Sequence, residues 1–374
     1  MPNAKQLTIP QLKSAINTYV ANNKIAQEWN ATYNIVGLLD TIGKIQTIDQ
    51  VMSDKLAKFD GEYLSYGKTV EEWEIDLVLP LDPSTSEEID VVKSAYPTYR
   101  PVSFSYDLGD RVFKATYKYN ELNKGVHNEG QLGELIYGIQ RTLTNSKTSW
   151  KYAVKREMFG KAATKAVNTM NSANATLWAA GTARTVGTIV KDASNATKIG
   201  IVVKDYPSAA NLAFAAAVTA GYIVVLDLVK TIAKPVDSAT GEAFLKAVKA
   251  DVEIGTDISE GHSFNGNTLG ATQGMTLLVK QGVMPSLEVD TQAGAFHLDK
   301  VSIPAEVIPV PDFGSADDSI YAILVDDRIA RLFPTFEFAA QQENGEAAFM
   351  NYFEHYDCTA HISNNAFIKV YKNA

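Results

Sequence analysis

The stretch from Asn128 to Met170 constrains this chain most, because one helical period runs through about 40 residues. Apolar residues recur at Leu132, Leu135, Ile136, Ile139 and Leu143, and again at Trp150, Val154 and Met158, with Phe159 beside them. Spacings of three, four and seven place them along one helix face. Glu134, Arg141, Lys147, Lys151, Lys155, Arg156 and Lys161 occupy the other side. This pattern predicts that Ile139→Asp or Leu143→Asp abolishes folding or solubility, whereas Lys151→Ala is nearly silent for folding. Asn128 followed by Gln131 reads as a capping box. A helix of this length spans about 60 Å, several times the usual extent, and serves as a rod on which other elements hang. Asn145-Ser146 near its middle leaves open a bend, or two collinear helices.

Composition bounds the class. The chain has 374 residues, 46% hydrophobic and 21% charged, which is ordinary for a globular protein of two or three domains or one elaborated one. A net charge of −9 argues against a surface that coats nucleic acid. The single cysteine, Cys358, excludes an intrachain disulfide and fits a reducing compartment. The N-terminus lacks a basic-then-apolar signal pattern, so the acceptor triplets at Asn30, Asn174 and Asn195 carry no weight. Residues 209–226 carry no charge, but Asn211, Thr219 and Gly221 interrupt them and Asp227 follows. A buried helix feeding a buried strand is expected there rather than a membrane span.

In chain order, residues 1–60 carry short apolar stripes and read as an arm that packs on something else. Trp73, Ile75, Leu77 and Leu79 alternate with acidic residues, and Phe113, Ala115, Tyr117 and Tyr119 alternate with Lys114, Thr116 and Lys118. The two strands are expected to pair antiparallel with opposite charges across from each other, and the tip between them to fall at about residues 84–108. Whether this hairpin projects to a neighbour or folds back on its own domain stays open. Residues 171–200 look like a junction, followed by a short buried-type strand at Ile201–Val203. Ser238 or Thr240 caps a helix carrying Phe244, Leu245 and Val248. Strands are expected at Met275–Val279 and Ile320–Val325, and Val301–Val310 is extended near a sheet edge because of its prolines. Phe349–Ile362 and Phe367–Tyr371 are expected to form a terminal antiparallel pair. The architecture is α+β.

No catalytic, cofactor-binding or metal-ligating residue is assigned. The run Gly261–Gly270 has no phosphate-binding pattern and reads as a mobile loop. His355, Cys358 and His361 invite a metal reading, but on a strand 358 points away from the other two. Glu71-Glu72 and Asp326-Asp327 read as solvated faces or strand ends rather than acid–base pairs.

The order of arm, alternating hairpin, long helix, mixed region and terminal strands resembles the major capsid proteins of tailed bacteriophages, the Hong Kong 97-type fold. Residues 100–159, RPVSFSYDLGDRVFKATYKYNELNKGVHNEGQLGELIYGIQRTLTNSKTSWKYAVKREMF, look like the return strand of that family's E-loop leading into its spine helix. AILVDDRIARLFPTFEF and FEHYDCTAHISNNAFIKVYK look like the end of its axial domain and its last peripheral strands. The resemblance implies an N-terminal arm at 1–60 and an E-loop hairpin with flanking strands at 61–122. It further implies a peripheral domain with the spine helix at 123–195, an axial domain at 196–345, and terminal strands returning to the peripheral domain at 346–374. It implies a non-enzymatic shell protein that forms hexamers and pentamers, assembled in the bacterial host cytoplasm, with no cofactor and no membrane. Its companions would be scaffolding, portal and decoration proteins, and packaged double-stranded DNA contacted non-specifically. Some members crosslink through an E-loop lysine. Lys68 and Lys93 lie in or near that loop, but no partner asparagine or catalytic glutamate is identified, so that chemistry is not carried over. A cargo-holding encapsulin shell with the same fold, and an α+β enzyme with an unrecognised site, are the alternatives.

Overall fold

The computed structural model describes residues 51–75, 99–101, 104–118, 129–271, 274–283 and 305–373. The capping residue Asn128, the side chains of Leu132, Leu135, Ile136 and Ile139, and most of the expected arm lie outside the described residues.

Helix α1, Glu129–Thr169, is one continuous helix of 41 residues. The Asn145-Ser146 step does not break it. Ser146 Oγ donates to the Thr142 carbonyl at 2.8 Å, and Thr142 and Thr148 bond back one turn in the same way. Asn145 Oδ1 accepts from the Met52 amide at 2.9 Å. The expected stripe is inside: Leu143, Met158 and Phe159 are buried, and Trp150 and Val154 pack against the main core.

Part of the polar side of α1 is covered, although Lys161 is 64% exposed. Lys155 is 1% exposed, ion-paired with Asp54 at 2.5 Å and Asp60 at 2.6 Å, and donates to the Leu56 carbonyl at 3.0 Å. Lys151 pairs with Asp60 at 2.8 Å and Lys147 with Glu354 at 2.5 Å, both against the Tyr356 ring. The three lysines, four residues apart, form a row covered by the segment 54–60 and by the strand that carries Glu354 and Tyr356. Leu56 and Phe59 follow the row inward, and Phe59 meets Phe159 edge-on at 4.8 Å. Gly160 lets the chain at Phe313 touch the helix backbone, since any Cβ there would collide with the Phe313 carbonyl. The expectation that Lys151→Ala is silent is therefore corrected.

The strands run in chain order as β1 (Trp73–Ile75), β2 (Tyr99–Pro101), β3 (Phe104–Asp107), β4 (Arg111–Lys118), β5 (Thr176–Leu177), β6 (Ile189–Lys191) and β7 (Ile199–Val202). Helix α2 (Phe214–Thr219) precedes β8 (Ile223–Val225) and β9 (Val229–Thr231), and α3 (Ser238–Thr256) precedes β10 (Ser259–Glu260), β11 (Asn267–Thr268) and β12 (Met275–Lys280). The chain ends with β13 (Glu306–Val310), β14 (Ile320–Asp326), β15 (Ala330–Asn344), β16 (Phe349–Ile362) and β17 (Ile368–Lys372).

Three sheets carry the fold. In the first, β16 is central. It pairs with β15 on one edge, and with β4 and then β3 on the other. The expected pairing of the two alternating strands is thereby corrected: β1 pairs antiparallel with β2, while β4 pairs with β16. Opposite charges across a ladder contribute about 0.2–1 kcal/mol per pair. The eight-residue β4–β16 ladder instead inserts Phe113 against Trp150 and stacks Tyr117 on Tyr352. The expected tip at 84–108 is corrected at its C-terminal end, since residues 99–101 belong to β2 and 104–107 to β3; residues 76–98 lie outside the described residues.

The second sheet has the order β13-β12-β14-β17-β9. One face packs on α3 through Phe244, Val248, Leu277, Tyr321 and Leu324; the other meets α1 through Leu278, Ile323 and Val325. Cover on both faces explains why every residue of β14 is buried and why its sequence from Ile320 to Val325 is an unbroken apolar run. β13 lies on the edge, as its proline predicts. β17 joins this sheet rather than pairing with β16, so the expected terminal pair is corrected.

The third sheet, β5-β6-β7-β8, encloses a small core of Trp178, Val190, Val202, Tyr206 and Phe214. The segment expected to be a junction is thus part of a packed unit. Helix α2 lies on the surface with only Phe214 and Ala217 buried, contrary to the expected buried helix. Asp237, not Ser238 or Thr240, caps α3, with Thr240 closing the box. Among the described residues no helix is long and apolar enough to cross a membrane.

Lys155→Ala should cost about 3–5 kcal/mol of unfolding free energy in urea, because it strands two carboxylates. Lys151→Ala, partly exposed, should cost about 1 kcal/mol. Equal losses would contradict the buried role of Lys155.

Candidate assembly surface

The first sheet has two unlike faces because its side chains alternate. Facing α1 are Phe113 and Tyr117 from β4, and Tyr352, Glu354 and Tyr356 from β16. The opposite face presents Phe336 and Phe338 from β15, Phe353 and His355 from β16, and Val112 and Lys114 from β4. Phe336 is 46% and Phe338 53% exposed, their rings stacked at 6.2 Å. Phe338 leans on His355, which binds Asp110 Oδ2 at 3.0 Å, and Lys114 lies over the Phe353 ring at 5.4 Å. An aromatic row open to solvent on a sheet this well anchored fits a surface built to be covered.

Near the inner end of the ribbon sit the polar groups that hold the base of the β1–β2 pair. Glu71 is exposed, but Glu72 turns inward: its Oε1 accepts from Ser363 Oγ at 2.7 Å and its Oε2 from the Asn364 amide at 3.2 Å. Lys68 pairs with Asp357 at 2.5 Å and Asp107 at 3.4 Å, and its carbonyl accepts from Thr359 Oγ1. Lys68 is thereby engaged within its own chain, and Lys93 lies outside the described residues. The solvated-face reading of Glu72 is corrected, whereas Asp326 is the strand end that the other half of that reading expects, closing β14, buried and paired with Arg328 at 2.5 Å. Asp327 binds Lys58 at 3.2 Å.

His355, Cys358 and His361 do not converge. His355 is held by Asp110, His361 Nε2 lies 3.9 Å from Glu72, and burial pushes the Cys358 thiol up to about 12. Among the described residues no three His, Cys, Asp or Glu side chains could hold a metal ion. The Gly261–Gly270 run is a packed turn rather than a mobile loop. His262, Ser263 and Phe264 are buried, His262 stacks on Phe367 at 5.5 Å, and the Asn265 amide donates to the Asn364 carbonyl at 3.2 Å. Beside it Lys369, 0% exposed, pairs with Asp227 at 2.5 Å and donates to the Asp227 carbonyl at 2.8 Å. The His262 ring and the Lys369 ammonium hold the Asp227 carboxyl well below the usual carboxylate range. By sequence Glu72 reads as a solvated face or strand end and Lys369 is unmarked, since a charge in an alternating strand reads as solvent-facing.

Residues 9–215 and 262–368 match the family model described as the Phi29-like phage major capsid protein. Solved structures share the fold at low identity. The capsid of Staphylococcus phage Andhra superposes with a TM-score of 0.57 at 12% identity, over 89% of this chain and 87% of that one. A chain in the structure of the head fiber and inner core protein gp22 of native bacteriophage P68 gives 0.52 at 13%, over 88% and 87%. The mature capsid of bacteriophage PhiM1 gives 0.50 at 8%, over 89% and 90%. No curated protein matches the chain. This α+β chain has the Hong Kong 97-type capsid fold. It belongs to the Phi29-like phage major capsid protein family, and is a shell-forming structural protein of the virion.

Two outcomes test this surface. Asp227→Asn should lower stability by about 1 kcal/mol at neutral pH, because it removes the charge paired with buried Lys369 while Asp227 itself is more than half exposed and Lys369 keeps its bond to the Asp227 carbonyl. An Asp held below its unfolded pKa of about 3.9 stabilises above that value and loses this as pH falls further, so the variant should show a shallower acid decline below about pH 4. Phe336→Ser with Phe338→Ser should leave the thermal midpoint nearly unchanged while abolishing association in sedimentation.

Proposed function

We propose that copies of this chain form the hexamers and pentamers of an icosahedral shell enclosing the double-stranded DNA of a tailed phage. Assembly takes place in the bacterial host cytoplasm, with scaffolding, portal and decoration proteins as companions, and the chain performs no catalysis. The exposed aromatic face of the first sheet carries this reading, because it offers a large apolar contact without loosening the subunit. The family match supports it, and so does the antiparallel β1–β2 pair that joins residues 73–75 to 99–101. The division into arm (1–60), E-loop (61–122), peripheral domain (123–195), axial domain (196–345) and terminal strands (346–374) is part of the same proposal. With a net charge of −9, DNA is contacted non-specifically and sparsely.

The test pairs folding with assembly. Residues 76–98 are replaced by a short Gly-containing turn joining Ile75 to Tyr99. The subunit should keep its circular dichroism and thermal midpoint, since a shorter loop lowers closure entropy. Electron microscopy of the variant with its scaffold should show no closed particles, whereas the natural chain forms them. Normal particles from the shortened chain would remove the loop from assembly.

A further inference from the structure

A cavity of about 480 Å³ opens where the C-terminal half of α1, β3, β6 and the end of β16 meet. Its volume lies within the range of about 300–1,000 Å³ that clefts for small ligands occupy. Tyr106 from β3, Ala162 from α1, Ile189 from β6 and Ile362 from β16 give it an apolar wall. Ala162 and Ile362 are buried, whereas Tyr106 is exposed, so the cavity is closed by the core on one side and open to solvent at the ring. Lys161 and Lys165, one turn apart on α1, line it as well. Among the described residues no Asp or Glu lines it. In a chain of net charge −9 this is a local reversal of sign.

The two lysines sit differently. Lys161 is exposed, and its pair with Glu157 at 3.3 Å is a surface pair along the helix, which binds it weakly. Lys165 is held further in. It donates to Oδ1 of Asn364, and its ammonium lies 4.2 Å from the centre of the Phe264 ring. The Glu72 carboxylate, engaged with Ser363 and with His361 at 3.9 Å, favours the charged amine, yet burial wins and pushes it down to about 8. An anion brought into the cavity would offset what burial costs that ammonium.

We propose that this cavity binds a small amphipathic monoanion, a medium-chain carboxylate, with its chain along Tyr106, Ile189 and Ile362 and its head group between Lys161 and Lys165. Three of the four apolar wall residues are aliphatic, which suits a hydrocarbon chain better than a stack of rings. The sign of the lining selects the head group: an alcohol of the same length gains nothing from the lysines, and an amine is repelled. Bound there, the ligand touches the long helix, the first sheet and the third sheet at once, and so ties the third sheet to α1.

Titration calorimetry of the full natural chain with decanoate, kept below its micelle concentration, tests this. Decanoate should bind at one site per chain with a Kd of about 10–100 µM at pH 7 and raise the thermal midpoint. Each buried methylene is worth up to about fourfold in affinity, so hexanoate should bind at least about tenfold more weakly, and decanol likewise for want of a charge. Because the bound anion raises the Lys165 pKa, binding at pH 8.5 should take up protons, seen as a heat that changes with the ionisation enthalpy of the buffer. At pH 6.5 Lys165 is already charged and that dependence should vanish. Lys161→Glu, at an exposed position, should weaken decanoate by at least about tenfold with the fold intact, and Lys165→Met should abolish the proton uptake. The proposal is overturned by equal binding of decanol and decanoate, by unchanged affinity in Lys161→Glu, or by no binding of decanoate to the natural chain. Cosedimentation with anionic phospholipid vesicles in the absence of decanoate binding overturns it too, since the site would then be a membrane surface contact. The natural chain and Lys161→Glu are decisive between them, so a Lys165→Met chain that fails to fold does not blur the result.

Discussion

The row of lysines on α1 is the interaction on which the rest depends. A 41-residue helix with one apolar stripe would leave half its circumference to water. Here Lys147, Lys151 and Lys155 recruit carboxylates from segment 54–60 and from β16. The helix is thereby covered on a second side, and Leu56 and Phe59 are drawn into the main core. Ionic pairing of this kind contributes less net stability than apolar packing would, because each charge is desolvated. It fixes register instead: only one rotation of the helix satisfies both the stripe and the row.

With α1 fixed, the two large sheets divide the work. The sheet containing β14 is sealed on both faces and packs into both of the larger core clusters. The sheet containing β16 is sealed on one face only, and its aromatic outer face stays available. A subunit that must be stable alone and adhesive in company needs both kinds, since an exposed apolar face is tolerable only on a scaffold that does not depend on it.

Much of this was legible in the sequence, for physical reasons. The helix showed because its period persists for eleven turns' worth of chain, about 40 residues, longer than chance supports. β12, β14 and the edge strand β13 showed because two-sided burial produces unbroken apolar runs, and because proline is confined to edges. Partner choice did not show. β4 alternates as a hairpin strand does, yet it pairs with residues about 240 positions later, and nothing local encodes that distance. The same applies to Lys155 and Glu72, which read as surface charges because the carboxylates and turn that bury them come from elsewhere in the chain. Gly261–Gly270 was misread for the opposite reason: small polar residues look loose, but here they allow close backbone approach to β8 and to the turn before β17.

The passage from β16 to β17 has a mechanical consequence. One unbroken length of backbone leaves the first sheet at Ile362 and enters the second at Ile368, with only a short buried turn between. A pull on the outer end of the β15–β16 ribbon therefore runs along the strand axis, and the ladder resists it in shear. All its rungs are loaded together, unlike a zipper that opens one rung at a time. The load then reaches the interior of the second sheet through covalent bonds rather than through a side-chain contact that could slip, so stretching the subunit deforms both sheets before it separates them.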